Sequence, residues 1–537
     1  MAGNDKEAPP PVRVGRYGWY VLFVLVLVYA VNFIDRQIIS ILAPDIKADL
    51  RLDDAQIGFL YGTAFAVFYA LFGIPLGRLA DSWYRGRLIA IGLTLWSSMT
   101  ALSAFAGSFG TLAGARIGVG IGEASASPAA YSMISDRFPK QKRATALSIY
   151  SSGLYIGGAL SLPVGGLVSS RWKAAWPHAA AAPLGLAGWQ AAFLAVGIPG
   201  LLLALWVLTL REPQRGASDG LPQPVVRPGA WREFGGELAA ILPPLTLLTA
   251  ARTGGLLVNL LALAAIAAAA AGLVRLTGDA PQWLAYGLGV YAIFSWTQAL
   301  RRRDPPAYRL IWGCPTVIML AAAFGSISFI TYAVSFWAPP YVLRTFYAGP
   351  GDPARILHGV KAGVEVAAIL GWATALAAAA GVIAGGIVSD WWRRYDPRGR
   401  IFVNMLAVVL PVPAVWLMFT TDSLATFYWA VPVAQLFGSA WVGAAVATLQ
   451  DLVLPRMRAT AGATYVLGTT MVGLALGPYA AGKMSVVTHS LAAGIFSLYV
   501  VPPFTLLALW LGSRRLAGLE ASKIERARAA GEPIPTQ

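Results

Sequence analysis

Charge is scarce in this chain, cysteine nearly absent and histidine rare. Asp, Glu, Lys and Arg make up 12% of the 537 residues, about half the share of an ordinary soluble domain. The one cysteine, Cys314, excludes an internal disulfide framework and a cysteine-ligated metal cluster. His178, His358 and His489 all fall in predicted outer loops without metal-ligand spacing, so no metal site is expected. No activated Ser, His cluster or paired catalytic carboxylates mark the apolar stretches, so the chain does not read as an enzyme. What is present is apolar: 57% hydrophobic residues and a mean hydropathy of +0.62. Apolar runs long enough to cross a bilayer recur along the whole chain, which makes it an all-α polytopic membrane protein. The polar N-terminus and long first run lack the features of a cleavable signal, so that run is expected to stay as an anchor.

The net charge of +16 could suggest nucleic acid. Sorted by alternate counting of spans, however, most Lys and Arg fall in loops on one side. That skew is the positive-inside rule, and it puts both termini in the cytoplasm of a cell inner membrane. The charge reads as topology plus attraction to anionic membrane lipids, not nucleic-acid binding.

In order, residues 1–17 are a cytoplasmic lead and 18–211 hold six spans, near 18–42, 55–79, 88–107, 111–134, 144–168 and 189–210. A Pro- and Gly-rich linker, about 212–237, is expected to be poorly ordered. Within 212–308 lie two further apolar stretches, about 253–273 and 282–300, read as a spanning hairpin rather than amphipathic surface helices. Six more spans follow within 309–513, near 311–339, 362–389, 401–420, 425–449, 460–483 and 491–512, and 514–537 form a basic cytoplasmic tail. The count is fourteen, as six, two and six.

The two sixes resemble each other. Asp136 and Arg143-Ala144-Thr145-Ala146 recur as Asp451 and Arg458-Ala459-Thr460-Ala461, and Pro163 recurs as Pro478 at the same spacing. Gly77 to Asp81 recurs as Gly386 to Asp390. Duplicated six-helix halves are a secondary-transporter architecture, with substrate bound between them near mid-membrane. Gly77-Arg78-Leu79-Ala80-Asp81 with its following arginines, and Arg116-x-x-x-Gly120-x-Gly122-Glu123-Ala124, resemble the major facilitator superfamily. Asn32 to Arg36, Pro44-Asp45-Ile46, Gly122 to Ser125 and Arg211-Glu212-Pro213 look more narrowly like its spinster branch. The resemblance is dense over about 18–213 and thinner over 309–513. It implies the major facilitator fold, two six-helix bundles, here with an extra two-helix hairpin between them. It also implies alternating access, and a lysolipid-like substrate in the manner of a branch whose animal members export sphingosine-1-phosphate or lysophospholipids. Bacterial relatives are thought to be proton-coupled. The family has twelve spans, and the hairpin departs from it.

Asp35 and Arg36 interrupt the first apolar run, where a charge at mid-bilayer costs about 2.5–3.5 kcal/mol. They form either a structural pair or a working site, and Arg116 and Glu123 in the fourth span favour the second reading. At ~1.5 Å rise per residue, Asp35 lies ~12 Å, Arg116 ~8 Å and Glu123 ~18 Å below the outer ends of their spans. These charges, with Asn32, are candidates for proton coupling and substrate binding. Burial raises a carboxylate's pKa and a nearby Arg lowers it, so a pocket with alternating access can load and release a proton. Asp35 is the first choice of carrier and Glu123 the second, with a structural role for Glu123 as partner of Arg116 left open. Arg36 and Arg116 suit carboxylates or an anionic substrate group. No cofactor beyond the proton gradient is expected.

Gly77, Asp81, Arg85 and Arg87, echoed by Asp390 and Arg393, read as a conformational latch, or as a solvated loop. Glycines four apart, at Gly114, Gly118 and Gly122 and at Gly153 and Gly157, read as helix packing. Gly477 to Lys483 superficially resembles a phosphate loop, but Met484 replaces the required Ser or Thr. In the second half Tyr332, Phe336 and Gln435 are candidate cavity residues, giving one apolar wall opposite an ionic one. That suits a small amphipathic molecule carried by a monomer. Uptake of small aromatic or carboxylic acids, drug efflux, and a nontransporting receptor or scaffold remain alternatives.

Overall fold

The computed structural model describes residues 15–215, 226, 228–347, 353–454 and 457–532. Among them are helices and turns and no strand. Lipid explains this, because a helix satisfies every backbone polar group within its own segment. The N-half comprises α1 (Arg16–Leu50), α2 (Asp54–Ser82), α3 (Arg85–Ser103), α4 (Phe109–Glu123), α5 (Ala126–Arg137), α6 (Lys140–Ala175) and α7 (Gly188–Leu208). α1 has 35 residues and overshoots a ~30 Å hydrocarbon core. It stops at Arg51, whose φ of 53° turns the chain. Asp53 then caps α2: its carboxylate accepts from Gln56 N at 2.7 Å, and Gln56 Oε1 accepts from Asp53 N at 3.0 Å. α6 lies along α1, and Gly157 permits it, since a Cβ there would run into Ala30 O. Gly118, Gly122 and Gly153 make similar close approaches, whereas Gly114 faces open space.

Between the halves, α8 (Ala230–Ile241) and α9 (Leu245–Arg252) meet at a 100° bend. Part of the linker expected to be poorly ordered lies outside the described residues, but from Ala230 onward the chain is helical. α10 (Leu256–Thr277) and α11 (Ala280–Arg303) form the hairpin, turning at Gly278 with φ 80°. α10 is nearly all Ala and Leu and scarcely buried, as a lipid-facing helix should be.

After the short α12 (Pro305–Leu310), the C-half runs through α13 (Pro315–Val342), α14 (Pro353–Arg393), α15 (Gly399–Val409), α16 (Val412–Thr420), α17 (Leu424–Ser439) and α18 (Trp441–Asp451). It finishes with α19 (Arg458–Leu467), α20 (Ala475–Thr488), α21 (Leu491–Ser497) and α22 (Val501–Ala521), and a last short helix reaches Ala529. A π-helical segment, Gly468–Leu474, joins α19 to α20.

By length and hydropathy ten helices can cross a membrane, or eleven if the bent α8–α9 pair is one span. The remaining predicted spans are helical but fall short of that measure. α3 carries Arg85, Arg87 and several hydroxyls, and α11 is rich in aromatic and polar residues. The predicted fourth span breaks at Ala124–Ser125, and the one near 460–483 is broken by the π-helical segment.

The two ends of the molecule differ. At the end where α1 turns into α2, with Asp45, Asp49, Asp53 and Asp54 and here called the acidic end, the halves are sealed; the expected loop from Asp45 is helical as far as Leu50. Ser40 Oγ donates to Phe336 O at 2.6 Å and Thr63 Oγ1 to Ala475 O at 2.6 Å. Asp54 accepts from Lys47 at 2.7 Å, from both Arg344 nitrogens at 2.8 and 2.9 Å, and from Ser485 at 2.9 Å. A Cβ on Gly58 would stand 2.5 Å from Pro478 O, so α2 and α20 touch backbone to backbone. At the opposite, basic end, the main ion clusters each stay within one half.

Candidate functional site

Asp35 and Arg36 are neighbours on α1, about 100° apart around the helix at 3.6 residues per turn, so they face different surroundings. Arg36 points to α4, where its Nη2 donates to Glu123 Oε2 at 2.7 Å, and both side chains are buried. Three rings surround the guanidinium: Phe65 at 4.4 Å, Phe33 at 4.7 Å and Tyr69 at 5.0 Å from its carbon. Asn32 lies one turn away and is buried beside Glu123. Tyr332 on α13 comes close enough to Arg36 to feel its charge.

Asp35 points instead toward α3. Its carboxylate is fully buried beside Trp96 and Thr100, and neither oxygen has a hydrogen-bond partner among the described residues. Arg116 reaches Asp35 only through the backbone, donating from Nη1 to Asp35 O at 3.1 Å and from Nε to Leu60 O at 3.4 Å. Glu123 is thus ion-paired with Arg36, while Arg116, two turns back on its own helix, directs its hydrogen bonds to the Asp35 and Leu60 carbonyls. Two acids and two arginines share one apolar region, with Glu123 Oε1 and Arg116 Nη2 unpartnered as well.

On the opposite wall, Gln435 Nε2 donates to Ser335 Oγ at 2.6 Å. Both line a cavity of about 150 Å³ between the halves, together with Phe33, Gln37, Leu154 and Leu370. Phe336 is not in that wall. It is buried in the seam, stacked on Tyr61 at 4.1 Å and edge-on to Trp337 at 4.9 Å, because the sealed acidic end draws it in.

The basic end carries two related ion clusters. Arg85, fully buried, donates to Glu212 at 2.7 Å, to Ser132 at 2.7 Å, to Pro213 O at 2.9 Å and to Asp136. In the C-half Arg400 bonds Asp451 and, at 2.9 Å, Asp390, while Arg393 bonds Asp451 and, at 2.6 Å, Glu520. Arg87 is outside the first cluster, with its guanidinium 4.5 Å from the Tyr84 ring. Asp81 shares a small polar pocket with Arg78, Asp136 and Arg215. A Cβ on Gly77 would only graze Pro128 at 4.0 Å. Arg400 and Glu520 were not singled out in the sequence, and Glu212 stood out only within the Arg211-Glu212-Pro213 motif, not as a partner of Arg85. The signal for Arg400 was present, since it follows Arg85 at the spacing that relates Asp451 to Asp136. The aromatic cage of Arg36 had no such signal, because its rings sit on two helices. Among the described residues no group of three or more His, Cys, Asp or Glu could hold a metal ion.

The sealed acidic end, the buried charges beneath it and the twinned ion clusters can be set beside known proteins. The model of the Major Facilitator Superfamily matches residues 25–478. An MFS-type efflux pump of Mycolicibacterium smegmatis is 26% identical over 470 residues, 88% of this chain and 85% of that one. A probable galactarate/D-glucarate transporter of Bacillus subtilis is 30% identical over 204 residues, 37% of this chain and 41% of that one. Among solved structures, a bacterial homologue of the human lysosomal transporter spinster, inward-facing and unoccupied, superposes with a TM-score of 0.64 at 25% identity. That match covers 95% of this chain and 98% of the other. The family's members are transporters and not enzymes, and this chain belongs to the Major Facilitator Superfamily as a multi-pass membrane transporter.

Proposed function

We propose that the protein is a proton-coupled secondary transporter that moves an amphipathic organic solute across the inner membrane by alternating access. The reading rests above all on Asp35, a fully buried carboxylate that makes no close hydrogen bond among the described residues, its nearest donors being Trp96 and Thr100, next in the chain to an arginine held by an acid from another helix. An ionised carboxylate buried without partners costs several kcal/mol, and a proton removes that cost. Asp35 carries the proton while the acidic end is sealed, and gives it up when water reaches it in the opposite state. Arg36 is the substrate's handle: an anionic or zwitterionic head group competes with Glu123 for the guanidinium. The cavity lined by Phe33, Leu154, Leu370 and Gln435 takes the apolar part.

In this reading α3, α4 with α5, α11, and α19 with α20 complete fourteen spans, as two six-helix bundles flanking the hairpin. The basic end faces the cytoplasm with both termini, following the positive-inside rule. Gly77, Asp81, Arg85 and Arg87, with Asp390 and Arg393, belong to the latch that regroups between states. The transporter works as a monomer, with the proton gradient in place of a cofactor and lipid around it.

Two probes in proteoliposomes test this: a lysophosphatidylcholine with a fluorescent chain, and D-glucarate. Asp35→Asn is expected to abolish accumulation driven by a pH gradient while sparing substrate exchange; full gradient-driven accumulation removes Asp35 from the mechanism. Tyr332→Ala is expected to lower discrimination between long and short lysolipid chains several-fold, on the order of 1 kcal/mol for lost apolar contact, and unchanged discrimination counts against an apolar wall there. A second reading, uptake of small carboxylic acids, draws on two buried arginines and the likeness to the galactarate/D-glucarate transporter. Gradient-driven accumulation of glucarate without lysolipid would select it.

A further inference from the structure

The hairpin lies outside the site, yet it is bound to both halves in different ways. A buried polar network first makes it one unit. Tyr291 OH donates to Asn259 Oδ1 at 2.5 Å and lies 3.0 Å from the Thr246 hydroxyl, while Asn259 Nδ2 donates to Gln298 Oε1 at 2.8 Å. α9, α10 and α11 are thereby joined. To the N-half this unit is held along the length of α2. Near the acidic end the Thr63 hydroxyl is 2.7 Å from Gln282 Oε1. At mid-height Val67, Ala70 and Leu71 pack with Ile241 and Ala292. At the basic end Glu237 accepts from Arg303 at 2.6 Å and sits 3.9 Å from Arg78 on α2.

Its polar hold on the C-half is concentrated at the acidic end. Asp279, in the hairpin turn, pairs with Lys483 at 2.8 Å and accepts from Tyr479 OH at 2.6 Å; Lys483 also donates to Thr277 O. Trp283 meets the Tyr479 ring edge-on at 5.7 Å. Lower down its contacts with the C-half are apolar: Met471 of the π-helical segment touches Gly289, Leu467 and Met471 share the cluster of Val67, Ile241 and Ala292, and Trp296 lies edge-on to Trp312 at 6.2 Å. Tyr479 and Lys483 lie on α20, the helix that α2 meets at Gly58. Parting the acidic end separates α2 from α20, and a hairpin that stays with α2 through its polar contacts at both ends then leaves Lys483 behind.

We propose that the hairpin is a state-specific clasp, with Asp279 holding Lys483 and Tyr479 of the C-half only while the acidic end is closed, so that it weights the transporter toward that state. This gives a role to Lys483, the end of the glycine-containing stretch that fails as a phosphate loop. It rests on the alternating-access reading above, and the test separates the two.

In full-length protein carrying Cys314→Ser, Ser40→Cys places one thiol under the seal formed with Phe336 and at the edge of the central cavity, where a membrane-impermeant maleimide added only on the acidic side of sealed proteoliposomes reaches it only when that end opens. Asp54→Ala, which removes the ionic seal itself, serves as the reference for opening. Asp279→Asn and Lys483→Met are each expected to raise the labelling rate about three-fold, the shift in population from losing a partly exposed ion pair. The exchanged pair, Asp279→Lys with Lys483→Asp, is expected to bring the rate back toward that of the parent. If Asp54→Ala speeds labelling but neither hairpin variant does, the hairpin is passive and the clasp is wrong. A rise that the exchanged pair leaves unreversed marks a distorted turn rather than a lost ion pair, and also overturns it. If even Asp54→Ala leaves the introduced thiol unlabelled, the two-state reading fails and the clasp falls with it.

Discussion

Arg36→Met is expected to abolish transport and to cost about 3–5 kcal/mol of stability, the loss seen when one partner of a buried ion pair is removed. Glu123 has only one carboxylate-to-arginine bond, at 2.7 Å, and its other oxygen is already without a partner. Removing the guanidinium takes away that ion pair and leaves the buried carboxylate with only Asn32 beside it and the more distant Arg116 of its own helix. The double variant Arg36→Met with Glu123→Leu is expected to recover most of the lost stability, because an ion pair replaced by apolar groups is often neutral. It is not expected to recover transport, because the handle for the head group is gone. Thermal unfolding in detergent and uptake into proteoliposomes check the two halves of this claim. A single variant as stable as the parent would show that the pair is not the buried unit described here, and a double variant that transports would free Arg36 from any role in binding.

Gly58→Leu is expected to have a comparable effect on transport for a different reason. The new Cβ would meet Pro478 O at 2.5 Å and Tyr479 Cα at 2.7 Å, and both are backbone atoms that cannot swing aside. Overpacking of this kind costs roughly 1–3 kcal/mol, and that cost falls only on the state in which α2 and α20 touch. The population therefore shifts away from closure of the acidic end, by about tenfold for each 1.4 kcal/mol. Transport is expected to fall by about tenfold or more, while maleimide labelling through Ser40→Cys rises. The melting temperature should change little, since the protein can rest in its other state. A variant that unfolds instead, or that transports normally with the introduced thiol still protected, would mean that the seam does not part in the cycle.

The membrane class, the helical fold and the duplication were legible from residue order, because lipid enforces them residue by residue. A run such as Leu256 to Thr277 is long and apolar enough to cross a membrane. The charges Asp35, Arg36, Arg116 and Glu123 stood out for the same reason, and α1 and α4 do bring them into one region. Their pairing was not legible. The sequence left Glu123 open as a proton carrier or as a partner of Arg116, two turns back on its own helix, and offered both arginines to the carboxylates; the geometry joins Glu123 to Arg36 across two helices. Phe336 misled in a similar way: an aromatic stripe does not say which ring meets a cavity and which meets Tyr61 in a seam. The π-helical segment and the break at Ala124–Ser125 were likewise invisible to apolar periodicity, since both interrupt the helix without changing composition.

Residue order alone therefore determined what the bilayer can judge: that the chain is a helical, multi-pass membrane protein, and where buried charge is exceptional. Those are local transfer costs, set by each side chain against lipid or water. Tertiary structure decided who meets whom: Asp35 turned toward Trp96 while Arg36 turns toward Glu123, the hairpin set against α2 and α20, and one end of the molecule sealed. Such contacts depend on how helices rotate and cross, and a single residue step of about 100° is enough to send two neighbouring charges into different worlds.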